Sequence, residues 1–493
     1  MLYLNNRKST GDTEISMKRS SRILNAGYAN IFAAYWMFYG VANAFASAYL
    51  LPKGYTNAEI GIILAVGSVL AVFLQPIMAD IADRSKKLSL LGVTQLSAGL
   101  LIVLEATLFA MAHKSLALWV VFVMIIAWLT ALQPLFNSLA FHLEESGVHI
   151  HFGICRGMGS LGFALLTAVL GTFVEMWGAN ILPAVGELTL AGLLVTIMIV
   201  KREFERCVKA KAQTRSAGAG AGVSGDAEVS AASDEVRTAV EAGALRAPAD
   251  VSTNEEVPPM LADERGADAE LRAQDEALRA PTDEETPLPL PPDSADKQEE
   301  INLWRFIRDN KLFLVLNIGV IGLYFSNAVL NNFMLQIVNA VGGTSEDMGR
   351  VLAVMAFMEM PALFFFDKVK ARFSCQTLLK VAAVGFTLRV GLIFLAKSMT
   401  VIYLAHIFQT LGFALFLPAM VVFIGDVMRR GEAVKGQAFF TAMTTVAAMI
   451  SSVLGGIMLD VRDAHFMLLV STLVTAAGAL VIILVVGKIR KRA

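Results

Sequence analysis

Runs of twenty or so almost wholly apolar residues recur along this chain, and that pattern excludes most folds. About 18 apolar residues suffice to cross a hydrocarbon core roughly 30 Å thick, a length that the core helix of a water-soluble domain rarely needs. Six runs come first, at about 26–50, 58–81, 88–112, 115–143, 152–176 and 180–200. Six more follow, at about 312–338, 348–366, 376–396, 399–427, 436–459 and 464–487. Backbone polar groups in lipid must be bonded within their segment, and the alternation of a β-barrel is missing, so the runs are expected to be helices. Charged residues make up 17% of the chain and fall mostly between the runs or in one polar insert. The first run, continuing to Leu51, is too long for the core of a signal peptide and lacks a small-residue cleavage site. Met17, followed by Lys18, Arg19 and Arg22, is an alternative translation start that intact mass would reveal.

Lys and Arg in the short loops set orientation. One side receives the leader cations, Arg84, Lys86, Lys87, Lys201, Arg202, Lys368, Lys370, Arg372, Arg429, Arg430, Lys435 and the tail from Lys488 to Arg492. The other receives only Lys53, Lys114, Lys397 and Arg462. An even number of spans places both termini on the basic, cytoplasmic side of an inner membrane. The organisation expected is a leader (1–25), a six-helix bundle (26–203), a linker (204–300), a second six-helix bundle (301–488) and a basic tail (489–493). The linker is rich in Ala, Glu, Asp and Pro, repeats Ala-Leu-Arg-Ala-Pro at 244–248 and 277–281, and buries too little apolar area to order itself. Cys155, Cys207 and Cys375 have no metal-ligand spacing and fall on the cytoplasmic side, so neither disulfides nor a metal site is expected.

The two sets of runs resemble each other. Gln75-Pro76 lead to Asp83-Arg84-Ser85-Lys86-Lys87, and Met360-Pro361 lead to Asp367-Lys368-Val369-Lys370. Pro134 is matched by Pro418, and the stretch from Gly153 to Val169-Leu170-Gly171 by that from Gly436 to Val453-Leu454-Gly455. Parallel six-helix repeats place a binding site at their interface near mid-membrane.

Asp83, Arg84 and Lys87, following Ala79, resemble the loop signature of the major facilitator superfamily, with alanine where that signature has glycine. The resemblance implies a cytoplasmic gate latch; a plain positive-inside anchor fits the same residues. Trp36-Met37-Phe38, Gly61-Ile62-Ile63, Gln75-Pro76 and Phe152-Gly153 leading to Arg156 look like the lactose permease branch and its sugar, nucleoside and phenylpropionate symporter relatives. Carried across, Arg156 matches the arginine that forks onto substrate, and Phe163 falls where an aromatic ring stacks on it. Glu359 matches an acid that binds substrate and couples protons, and Arg389 an arginine that assists its deprotonation. Other proton machinery differs: Asn137 replaces an acid in span four, Asn327 and Leu330 replace acids in span seven, and span ten carries His406, Gln409 and Gly412. Lactose is therefore not the expected cargo.

The residues support part of this directly. A charge inside a span costs roughly 2.5–3.5 kcal/mol on insertion scales, so intramembrane charges mark function or pair with one another. Arg156 precedes Gly157, Gly159, Ser160 and Gly162, which permit close helix approach and leave its fork free for a ligand. Snorkelling to the interface fits equally. Glu359 and Arg389, in spans eight and nine, are expected to neutralise each other. Glu105, His406 and, less centrally, Glu187 are further candidates for carrying protons. Asn137, Asn327, Asn331, Asn332 and Gln409 form a candidate polar lining, and Tyr28, Phe32, Tyr35, Trp36 and Tyr39 a candidate aromatic wall; helix packing accounts for either set as well.

The expected function is proton-coupled uptake, by alternating access, of an oligosaccharide, nucleoside or aromatic acid. Efflux of drugs or metabolites and a transporter-like sensor are the alternatives. No catalytic pair or phosphate loop appears, so no enzyme is expected. Expected partners are the substrate, protons and the bilayer, with no nucleic acid, no cofactor beyond the proton gradient, and a monomeric state.

Overall fold

The computed structural model describes residues 2–84, 89–220, 306, 308–429 and 432–489, with side chains from 19 to 211 (except 83) and throughout the later segments. These residues are helical almost throughout. Eleven helices are long and apolar enough to cross a membrane, and the bent pair Arg19–Ala44 and Ala46–Lys53 makes a twelfth span. The bend of 49° lies where the first helix passes through a π turn, Gly40–Ala44, a local irregularity that is frequent at functional sites. Spans two to six are Asn57–Ala82, Leu90–Ala110, Leu116–Glu144, Phe152–Trp177 and Ile181–Lys211. Spans seven to twelve are Lys311–Asn332, Ser345–Lys370, Cys375–Phe394, Met399–Val427, Ala433–Val461 and Ala464–Lys488.

Several spans begin on a side chain that answers the otherwise unpaired N–H groups of the first turn. Ser89 Oγ accepts from Gly92 N at 3.2 Å, Ser115 Oγ from Leu118 N at 3.1 Å, and Asp463 Oδ1 from Phe466 N at 2.7 Å. Two breaks differ from the uniform spans expected. Span seven kinks at Phe333 and continues as the short helix Met334–Asn339. Span ten is three pieces, Met399–Ala405, Phe408–Leu411 and Phe413–Val427, separated around His406 and Gly412. The sixth helix runs to Gly220, so residues 204–220, expected at the start of the linker, are helical. The stretch Lys201–Lys211 holds Lys, Arg, Glu and Ala and no Pro or Gly, a composition that lets a helix continue. The rest of the expected linker, 221–300, lies outside the described residues.

Within the first half, span one packs on spans five and six, and span two on span four; within the second, span seven packs on spans eleven and twelve, and span nine on spans ten and twelve. Between the halves, span five lies against span eight and span two against span eleven. Glycines set how near some helices come. A Cβ at Gly322 would stand 2.8 Å from Val474 O and 2.9 Å from Gly478 Cα, across the contact of spans seven and twelve. Overpacking of this kind costs about 1–3 kcal/mol. Gly322→Leu is expected to lower the thermal unfolding midpoint of the purified protein, whereas Gly425→Ala, at a glycine with open space around it, leaves it unchanged.

Candidate functional site

In the first half, Arg156 stands about a turn inside span five. The glycines that follow let span one come close: Gly159 lies on the Trp36 ring, and a Cβ at Gly162 would meet the Ala33 backbone at 3.0 Å. Trp36 is thereby carried over Arg156, whose guanidinium carbon lies 5.9 Å from the ring centroid. Arg156 Nη1 is buried and has no hydrogen-bond partner. Asn137 Oδ1, on span four, is buried and unpartnered in the same way. Phe163 is 7% exposed and lies against Gly40, the first residue of the π turn.

The aromatic group on span one divides in two. Tyr28 and Tyr35 are fully buried and donate to the backbone carbonyls of Phe136 and Leu129, at 2.9 and 3.1 Å, so they tie span one to span four. Phe32 is buried with them. Trp36 and Tyr39 remain half-buried, their rings 5.0 Å apart.

In the second half, Glu359 Oε1 accepts from Gln409 Nε2 at 2.7 Å. Arg389, 1% exposed, donates from Nη1 to Asn327 Oδ1 at 3.1 Å and from Nη2 to Met355 Sδ at 3.2 Å, while its Nε has no partner. Glu359 and Arg389 form no direct ion pair: the acid is bonded to Gln409 and the guanidinium to Asn327. Glu359 still lies within electrostatic reach of both Arg389 and Arg156. Tyr324, which did not stand out in the sequence, lies in reach of the same acid, with its hydroxyl unpartnered among the rings of Phe386, Phe413, Phe416 and Phe440. The available signal was its place one helical turn before Asn327.

The break in span ten turns its side chains toward this cluster. His406 Nδ1 bonds Ile402 O at 2.7 Å, leaving Nε2 buried without a partner, as is Gln409 Oε1. Interrupted helices near mid-membrane are a recurrent way to build transporter sites. Asn331 donates to Asn327 O at 2.8 Å. Asn332 belongs elsewhere: it donates to Ser452 Oγ at 2.8 Å and accepts from Asn43 and Ser47, within the contact between the halves.

Glu105 does not join this cluster. It is 2% exposed inside the first half, facing Gly186 and a small cavity walled by Val41, Ala42, Tyr49, Phe122 and Leu182. Its Oε2 has no partner, nor has Glu187 Oε1 nearby. At the ends toward the termini, Arg84 bonds Asp80 of its own helix at 2.6 Å; the side chain of Asp83 and all of Lys87 lie outside the described residues. An unpaired carboxylate in an apolar chamber is costly and a neutral group of the same shape is not. Glu105→Gln is therefore expected to give as much monodisperse protein as the parent chain on size-exclusion chromatography, and Glu105→Lys to give little.

The MFS_1 like family model matches residues 28–470. A curated relative, the probable 3-phenylpropionic acid transporter of Escherichia coli (strain K12), is 29% identical over 185 residues, 37% of this chain. That match spans 46% of the relative's length. Among solved structures, a point mutant of the nucleoside transporter NupG superposes with a TM-score of 0.63 at 12% identity, over 94% of this chain and 99% of that one. A POT family transporter in complex with a thioalcohol conjugated peptide gives 0.60 at 13% identity, over 96% of each chain. At these identities the likeness concerns the fold.

Proposed function

The chain belongs to the MFS_1 like family of membrane transporters, and we propose that it takes up a small aromatic carboxylic acid together with a proton, by alternating access. Its relatives are transporters rather than enzymes, and its many spans make it a multi-pass membrane protein. One observation carries the choice of substrate. Two guanidiniums, Arg156 and Arg389, lie within electrostatic reach of Glu359, and each has a buried nitrogen without a hydrogen-bond partner. A substrate carboxylate supplies the missing acceptor and charge, since guanidinium matches carboxylate in a planar, two-bonded fork. Trp36, Tyr39 and Tyr324 offer ring faces and edges to an aromatic body. The name of the curated relative points to the same class.

Charge competition supplies the coupling. With its proton on, Glu359 no longer competes for the guanidiniums, and the substrate anion is held. Once the site faces the compartment of lower proton activity, the proton leaves, the carboxylate reclaims the arginines, and the anion is expelled. His406, with its unpartnered Nε2, is the group that takes up or passes on that proton, while Gln409 holds the acid through its amide N–H. On the loop-cation pattern, the side with the termini is the cytoplasm of a cell bounded by this inner membrane, and the protein acts as a monomer.

The test is pH recording in lightly buffered, de-energised cells that express the protein, with 3-phenylpropionate, a nucleoside and an oligosaccharide added in turn. Alkalinisation with 3-phenylpropionate, lost in Glu359→Gln, is expected; silence with every compound contradicts proton-coupled uptake, and a response only to a nucleoside or oligosaccharide overturns the substrate class. Arg156→Lys keeps the charge and loses the fork. Its half-saturating 3-phenylpropionate concentration is expected to rise roughly tenfold or more, as when one hydrogen bond to a charged group is removed.

A further inference from the structure

The contact between the halves, on the face away from the termini, is built twice from one pattern. Thr56-Asn57-Ala58-Glu59-Ile60-Gly61 opens span two, and Thr344-Ser345-Glu346-Asp347-Met348-Gly349 opens span eight. Each threonine and the acid three residues later cap their own helix. Glu59 Oε2 accepts from Thr56 N at 2.9 Å and Thr56 Oγ1 from Glu59 N at 3.3 Å. Asp347 Oδ2 accepts from Thr344 N at 3.1 Å and Thr344 Oγ1 from Glu346 N at 3.2 Å. Such a box leaves the first N–H of the helix unanswered.

In both places the answer comes from the opposite half. Asp460, in the last turn of span eleven, accepts from Asn57 N at 3.0 Å, Ala58 N at 2.7 Å and Asn57 Nδ2 at 2.9 Å. Glu175, in the last turn of span five, accepts from Ser345 N at 2.8 Å. An acid in the last turn is disfavoured by the dipole of its own helix and favoured at the start of another. Neither acid is therefore placed for the benefit of the helix that carries it.

The packing beneath repeats as well. Gly456 and Gly171 each precede their acid by four residues and lie on the helix start that the acid caps: Gly456 on Asn57 and Ala58, Gly171 on Ser345 and Glu346. In return Gly61 rests on the carbonyl of Ser452 and Gly349 on that of Thr167, each four residues before the partner glycine. A Cβ at any of the four would overlap the opposite backbone.

We propose that Asp460 and Glu175 are paired trans-acting helix caps that hold this transporter closed on the face away from its termini, and that opening that face requires both to let go. The glycines fix the register of the closed halves, and the two carboxylates weight its population. Both acids sit at the surface, so water replaces the lost N–H groups when the halves part and the closure stays reversible.

The experiment is electron–electron distance measurement on the full chain in lipid nanodiscs, with nitroxides at His113→Cys and Lys397→Cys. Both residues are exposed at this face, one on each half. Cys155, Cys207 and Cys375 are replaced by Ser in the background. Asp460→Asn with Glu175→Gln is expected to add a longer-distance population, its ratio to the closed one rising roughly tenfold for each cap weakened. Asp463→Asn, the same change of charge at a cap made within span twelve, is expected to leave the distribution as it was. An unchanged distribution in the double variant, or an equal change in Asp463→Asn, overturns the proposal. Asp460→Asn and Glu175→Gln singly give the same reading if the double variant is not recovered folded.

Discussion

In hydrocarbon every backbone N–H or C=O without a partner costs several kcal/mol, and this chain is arranged around where that demand is met and by what. Along most of each span the helix meets it alone. At helix starts a side chain meets it, as Ser89, Ser115 and Asp463 do for spans three, four and twelve. At the starts of spans two and eight the demand is met by the opposite half, through Asp460 and Glu175. The hydrogen bonds that join the halves among the described residues gather at this face, where Asn332, Gln336 and Thr172 add to them. Fastening at one end is the geometry that the proposed alternating access needs.

Deeper in the membrane several side chains have a demand of this kind that is left unmet. Arg156, Arg389, Asn137, Gln409, His406 and Tyr324 each keep a buried polar atom with nothing bonded to it. Buried polar groups are normally paired, so these residues are the candidates for holding the proposed substrate. Each half has a break beside candidate residues: the π turn of span one has Gly40 against Phe163, and the interrupted span ten carries Gln409, which bonds Glu359.

Much of this was legible in the sequence, because hydrophobic run length fixes a span regardless of its neighbours. All twelve expected runs correspond to helices that begin or end within several residues of the expected limits, and the sixth helix overran because nothing in Lys201–Lys211 stops it. Arg156 and Glu359 stood out as isolated charges in apolar runs. Which groups they touch was not legible, since side-chain partners depend on helix rotation: Gln409 took the place expected for Arg389, and Glu105 proved to face inward within its own half. Asp460 and Glu175 were passed over because each ends a span, where an acid looks like an ordinary loop residue. Their meaning comes from the Thr-x-x-acid-x-Gly segments they meet, which a comparison of the two halves reveals.

The proposed proton coupling rests on one competition: in this proposal the unprotonated Glu359 contends with an anionic substrate for Arg156 and Arg389, so that a proton on the acid and the substrate are held together. Calorimetric titration of an aromatic monocarboxylate into the purified transporter, repeated from mildly acid to alkaline pH, tests it most directly. Affinity is predicted to fall as pH rises in the parent chain, and to stay near the acid-side value throughout in Glu359→Gln. The same fall with pH in both proteins would contradict the competition.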